Sequence, residues 1–79
     1  MPIRISIVED NTELRRTLAK MFSEAPGLEC VSAHASAEDA LSKIPVSKPD
    51  VALVDIHLPG MDGIECVAKL KGQMPGLQI

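Results

Sequence analysis

Strand-type and helix-type segments alternate along the whole chain, and this order constrains the fold more than any other feature. The first apolar run, Ile3 to Val8, is rich in β-branched residues and alternates with polar ones, as is typical of a strand. The apolar residues between Leu14 and Ala25 then recur at intervals of three or four, as on one face of an amphipathic helix. The same pair of signals occurs twice more. This order predicts an α/β domain with a parallel sheet.

Capping residues and helix breakers predict the boundaries of these segments. Polar pairs spaced by three residues indicate the three helix starts: Asp10 with Glu13, Ser36 with Asp39, and Asp62 with Glu65. Proline and glycine predict the three helix ends: Pro26-Gly27, Pro45, and Gly72 with Pro75.

The remaining strands differ in their expected surroundings. The segment from Leu28 to Ala33 mixes polar and apolar residues and suits an edge strand. Residues 51–56, VALVDI, show no alternation, so we expect both faces of this strand to be covered, as in the centre of a parallel sheet. Residues 77–79 resemble the start of a fourth strand.

Composition excludes several classes of function. The 79 residues allow one small domain, and a net charge of -3 makes a poor DNA-binding surface. Phe22 is the only aromatic residue, which argues against a base-stacking surface. No apolar run approaches the length of a membrane span, and no leader opens the chain, so we expect a cytoplasmic protein without membrane contact. Cys30 and Cys66 are expected to be reduced and buried.

Acidic residues follow two of the predicted strands. Glu9 and Asp10 end the first strand, and Asp55 lies near the end of the third. If the second and third strands flank the first, these carboxylates converge where the strand order reverses, which is where open parallel sheets bind ligands. Crowded oxygen donors without a His or Cys cluster favour Mg²⁺ over zinc. A carboxylate beside such an ion can act as a nucleophile toward a phosphoryl group.

The segments IVEDN and LVDIHLPGMDG, about 45 residues apart in a β-α-β-α-β frame, resemble the receiver domain of two-component response regulators. The resemblance extends from Ile3 to Ile79. It implies an incomplete flavodoxin-like (CheY-like) doubly wound parallel sheet, with strand order 2-1-3 and a trace of strand 4. The stretch GLECVSAHASAEDAL is most similar to receivers that precede a LuxR-type helix-turn-helix output domain.

The resemblance also implies a site. Asp55 would accept a phosphoryl group from a sensor histidine kinase or a phosphotransfer protein. Asp10 and Asp55 would bind Mg²⁺ directly, Glu9 through water, and His57 through its backbone carbonyl. Such a module is a phosphorylated switch rather than an enzyme, although it assists its own phosphotransfer and dephosphorylation.

Residues 1–79 are expected to form the N-terminal part of a single receiver domain, with no output domain present. The Ser/Thr and the Lys with which the family reads the phosphoryl group would fall beyond Ile79. DNA would be contacted only through an output domain, and transcription would be the regulated process. The apolar third strand would have an open edge, and three outcomes stay open for it: further residues that are disordered, a segment of residues 77–79 swapped into a neighbouring copy, or edge-to-edge pairing as a homodimer.

Alternatives remain for the same residues. A phosphorylation-independent pseudo-receiver would use the fold only to bind partners. An aspartyl phosphatase of the haloacid-dehalogenase type needs D-x-D after the first strand, whereas Asp10 is followed by Asn11 and Thr12. In a third alternative the chain has no such site: Asp10 and Asn11 are only helix caps, and Asp55 is only a turn residue. Three other polar positions also have purely structural interpretations. His34 would be a polar residue at a strand end, His57 an exposed loop residue, and Arg15-Arg16 part of a solvated helix face.

Overall fold

The computed structural model describes residues 2–79, and within them three parallel strands alternate with three helices. The elements are β1 (Ile3–Val8), α1 (Thr12–Glu24), β2 (Leu28–His34), α2 (Ala37–Ser47), β3 (Val51–Val54) and α3 (Gly63–Gln73). The sheet order is β2-β1-β3, which confirms the predicted 2-1-3 order. A single parallel bridge joins Val51 to Gln78, where the start of a fourth strand is predicted. The architecture is therefore an incomplete flavodoxin-like sheet.

Side-chain caps start all three helices. The Ser36 and Asp62 side chains accept hydrogen bonds from the amides of Asp39 and Glu65, as predicted. The prediction for α1 is wrong by one residue, because Oδ1 of Asn11, not Asp10, accepts from the Leu14 amide at 2.9 Å. Asparagine caps as well as aspartate does. Asp10 therefore lies outside the cap.

One predicted helix end is wrong, and another is correct only for one of its two residues. Helix α2 continues through Pro45 and ends at Ser47, and its C-cap is Lys48, whose φ is 51°. Proline removes one amide donor, but its fixed φ is helical, so a short final turn tolerates it. Gly72 lies inside the last turn of α3 and does not end it, but the helix ends at Gln73, before Pro75, as predicted. Helix α1 ends at Glu24, just before Pro26-Gly27, as predicted.

The core lies mainly on one face of the sheet. There α2 and α3 pack against buried residues of β1 and β3, forming an aliphatic cluster that includes Val8, Ile44, Ala52, Cys66 and Leu70. Burying each large side chain of this kind contributes about 1.5–3 kcal/mol. The cluster fixes β1 beside β3 and so sets the positions of the residues that follow these two strands.

The opposite face is only partly covered. Helix α1 packs on β1 and β2 and not on β3. Leu53 consequently remains 44% exposed. A cavity of about 210 Å³ lies between Leu53 and Leu18 of α1. The expectation that both faces of β3 are covered is thus wrong within residues 2–79, and the strand ends at Val54 rather than Ile56.

Both cysteines are free thiols, as predicted. Cys66 is buried in the core, whereas Cys30 on the edge strand β2 is only half-buried, so the prediction of burial is wrong for Cys30. Burial raises the pKa of both thiols. Across residues 2–79, no helix combines the length and apolarity needed to cross a bilayer.

Candidate functional site

The site lies where β1 and β3 end side by side. Val8 pairs with Val54, and the Asp55 amide donates to the Val8 carbonyl at 3.0 Å, which extends the pairing by one residue. Glu9 and Asp55 therefore follow directly on adjacent strands. Because β2 lies on the other side of β1, this is the position where the strand order reverses, as the sequence predicts.

Three carboxylates converge at this point. Oxygens of Glu9, Asp10 and Asp55 all lie within 4.8 Å of one another. Glu9 is buried, Asp55 half-buried and Asp10 exposed. At an effective dielectric of 20, two unit charges at the largest of these separations, 4.8 Å, repel by roughly 3.5 kcal/mol. The cluster is therefore strained by like charge unless a proton or a cation offsets that charge.

Opposing influences act on the pKa of Glu9. The Asn11 amide donates to Glu9 Oε2 at 3.0 Å, which favours the charged form and lowers the pKa. Burial, a side-chain hydrogen bond with Asp10 and the charges of Asp55 and Asp10 together outweigh that bond and raise the pKa of Glu9 above its ordinary value. Because the pKa of Glu9 is raised, a proton would compete with a cation at this site.

Asp55 is oriented by its own loop. The His57 amide donates to Asp55 Oδ1 at 2.9 Å. The second oxygen of Asp55 has no hydrogen bond within residues 2–79, so it remains available to a ligand. The His57 side chain is exposed, in agreement with its interpretation as a loop residue. Metal binding by the His57 carbonyl stays a prediction.

Gly63 packs against the backbone that carries Asp55. A Cβ at this position would lie 2.1 Å from the Asp55 carbonyl oxygen and 2.4 Å from Cα of Ile56. The Gly63 amide also donates to the Ile56 carbonyl at 3.2 Å. In the sequence, Gly63 is recognised only as the last residue of the PGMDG motif, and its close packing against Asp55 was not predicted. A glycine directly after the helix cap Asp62 was the available signal.

Two further residues contact the backbone around the acidic cluster. Arg15, interpreted from the sequence as part of a solvated face, donates to the Glu9 carbonyl at 2.9 Å. His34 ends β2 as expected, but it is only 3% exposed, and its carbonyl accepts from the Glu9 amide at 3.0 Å. Its ring nitrogens lie 2.7 Å from Asp39 Oδ2 and 2.9 Å from Ser32 Oγ. Neither contact was predictable from local sequence pattern.

Comparison with known proteins assigns the family. The response regulator receiver domain family matches residues 5–79. Among sequence relatives, the "DNA-binding transcriptional activator DevR/DosR" of Mycobacterium tuberculosis is 33% identical over 76 residues, which are 96% of this chain and 35% of that protein.

Solved structures agree with this assignment. The response regulator domain of Thermotoga maritima CheB superposes with a TM-score of 0.89 at 28% identity, covering 95% of this chain and 56% of that one. The CheY structure described as a CheX-CheY-BeF3-Mg+2 complex from Borrelia burgdorferi gives a TM-score of 0.87 at 25% identity, covering 98% and 58%. The chain thus spans between about a third and three fifths of the length of these proteins. It belongs to the response regulator receiver domain family.

Proposed function

We propose that this chain is a phosphorylation-dependent receiver module in which Asp55 accepts a phosphoryl group. The observation that carries the proposal is the convergence of Glu9, Asp10 and Asp55 at the reversal point of the sheet, in a chain of the receiver family. The donor would be a sensor histidine kinase or a phosphotransfer protein. We infer a phospho-accepting switch whose own chemistry is limited to assisting that transfer and its reversal.

The donor set fits a hard divalent cation. It consists of carboxylate oxygens alone, with a like-charge repulsion that a cation would relieve. Asp10 and Asp55 would hold Mg²⁺ directly, Glu9 through water, and His57 through its carbonyl. When bound, the ion would neutralise charge on the phosphoryl oxygens. The CheY structure named above was solved with BeF3 and Mg+2, which supports the same ion here.

The chemistry is a single displacement at phosphorus. The Asp55 oxygen without a hydrogen-bond partner would donate its electron pair to phosphorus and form an acyl phosphate. The bond from phosphorus to the donor's leaving atom would break, and that atom would keep the bonding pair. The His57 amide at Asp55 Oδ1 would hold the carboxylate in one orientation during the transfer.

The test is phosphorylation by acetyl phosphate, followed by intact-mass analysis. We expect one phosphate adduct that requires Mg²⁺ and is absent in Asp55→Asn. Asp62→Asn is the matched control, because it changes an aspartate of the same loop that serves as a helix cap. Asparagine also caps well, so this variant should be labelled normally.

Labelling that persists in Asp55→Asn would contradict the assignment. Absence of labelling in the wild-type protein would favour the pseudo-receiver alternative. In Mg²⁺ titrations, Asp10→Ala should lose more affinity than Glu9→Ala, because Asp10 is the proposed direct ligand.

The output is proposed from relatives. One relative is named a DNA-binding transcriptional activator, and one structural neighbour is the response regulator domain of CheB. We infer regulation of transcription, in the cytoplasm, with DNA contacted through a separate output domain. The similarity of residues 27–41 to receivers of the LuxR type supports this choice. The assignment of residues 1–79 to a single receiver domain is part of the same proposal, and a homodimer through the open edge of β3 is one of its three outcomes.

A further inference from the structure

Arg15 contacts the backbone carbonyls of Glu9 and Asp10 rather than any carboxylate. It lies one turn into α1, and its Nη1 donates to the Glu9 carbonyl at 2.9 Å and lies 3.5 Å from the Asp10 carbonyl oxygen. The side chain is half-buried. Within residues 2–79 it forms no ion pair with a carboxylate. A charged guanidinium is thus committed to two consecutive main-chain carbonyls at the end of β1.

The turn that carries Glu9 and Asp10 is held from three sides. The Glu9 amide donates to the His34 carbonyl at 3.0 Å, and the Asn11 amide donates to Glu9 Oε2 at 3.0 Å. The third hydrogen bond is the one from Arg15 to the Glu9 carbonyl, and its donor lies on a helix rather than in the sheet or the turn itself. It therefore couples the position of α1 to the direction of the acidic side chains.

We propose that Arg15 is a positioning residue for the cation site, and this inference rests on the proposed function. It fixes the turn so that the Glu9 and Asp10 carboxylates face Asp55. It leaves their oxygens available to the cation because it bonds to carbonyls. Charge-assisted hydrogen bonds of this kind are stronger than neutral ones, so one side chain can hold the turn against the repulsion among the carboxylates.

A purely electrostatic role and a positioning role predict opposite effects. If Arg15 acted only as a nearby positive charge, removing it would strengthen Mg²⁺ binding, because the charge opposes an incoming cation. If Arg15 positions the ligands, removing it weakens binding, by about the 10- to 100-fold typical of residues that orient metal ligands. The sign of the change in affinity separates the two roles.

The experiment is calorimetric titration of Mg²⁺ into the wild-type protein and three variants. Arg15→Met removes the charge and both contacts. Arg16→Met removes the same charge from the neighbouring exposed position, where the side chain makes no hydrogen bond within residues 2–79, and it is the matched control. Arg15→Lys keeps the charge but not the forked guanidinium. Each titration is made below the melting temperature of the variant, determined without Mg²⁺ by circular dichroism.

We expect the dissociation constant to rise about 10- to 100-fold in Arg15→Met, at least about threefold in Arg15→Lys, and less than about twofold in Arg16→Met. Affinity in Arg15→Met equal to or tighter than that of Arg16→Met would overturn the inference. If Arg15→Met does not fold, Arg15→Lys decides, and wild-type affinity in that variant would overturn it. If the wild-type protein binds no Mg²⁺, the proposed function fails first and this inference fails with it.

Discussion

Substituting Gly63 by alanine should displace the backbone at Asp55. The added Cβ would meet the Asp55 carbonyl oxygen at 2.1 Å, the carbonyl carbon at 2.7 Å and Cα of Ile56 at 2.4 Å. Ordinary van der Waals contact begins near 3.4 Å, so α3 and the end of β3 must separate by about 1 Å. All three contacts are backbone atoms, and no flexible side chain can rotate away. The residue that carries the proposed phosphoryl group must therefore move.

The free energy of this change can be bounded. Overpacking of a close contact costs typically about 1–3 kcal/mol. The better helix propensity of alanine offsets at most about 1 kcal/mol. These bounds leave a net loss of about 0–3 kcal/mol in the free energy of unfolding, and its central value of about 1.5 kcal/mol lowers the melting temperature by roughly 6–12 °C in a domain of this size. Phosphorylation by acetyl phosphate should slow in the same variant.

Gly72 provides the matched control. It lies in the same helix, and an added Cβ there would have nothing within 4 Å. Gly72→Ala should raise stability by about 0.4–1 kcal/mol and leave phosphorylation unchanged. The measurements are thermal unfolding by circular dichroism and the intact-mass assay. If Gly63→Ala matches Gly72→Ala in both, the close approach of α3 to Asp55 does not constrain the site.

Two further predictions concern pH. The raised pKa of Glu9 means that wild-type stability falls as pH rises from the ordinary Glu pKa through the raised one. Without Mg²⁺, Glu9→Gln should therefore be more stable than the wild-type protein at pH 7, by on the order of 1 kcal/mol, and no more stable at pH 3. Urea unfolding at both pH values checks this, and an equal gain in stability at both would contradict it. Contacts with Lys43 and, to a smaller extent, His34 lower the pKa of Asp39. Asp39→Asn should therefore lose about 0.5–1 kcal/mol of stability at pH 7 after solvent screening, and this loss should disappear as pH falls through the lowered pKa. Thermal melts of both proteins from pH 7 to pH 2 check this, and a constant difference in stability would refute it.

The placement of the acidic residues was predictable because Glu9 and Asp55 directly follow predicted parallel strands, which end at the same edge of the sheet. Periodicity predicts the strands but does not determine their order, and the 2-1-3 order was implied by the resemblance to receiver domains. The convergence of Glu9 and Asp55 follows from the strand ends and that order together. Their mutual distances needed only the spacing of neighbouring strands, about 4.8 Å.

The failed predictions depend on tertiary contacts that a local pattern does not contain. Asp10 and Asn11 are equally good caps, and the turn that points Asp10 toward Asp55 makes Asn11 the cap. The exposure of Leu53 follows from where α1 packs, which is not encoded in β3 itself. The role of Gly63 depends on how closely α3 approaches the end of β3.

The wrong cap prediction and the charge cluster have the same physical origin. Asp10 and Asn11 would cap α1 equally well, so capping preference does not decide which of them lies at the helix N-terminus. Here Asp10 lies outside the cap and close to two other carboxylates, one of them buried. This crowding of like charge is unfavourable for folding, and it occurs at the residue for which we propose direct metal binding. Such conflicts are expected where function, rather than folding, determines side-chain placement. The hydrogen bonds that Glu9 accepts from Arg15 and the Asn11 amide, and the one that it donates to the His34 carbonyl, are consistent with this, because they hold in place a turn that its own charges would otherwise open.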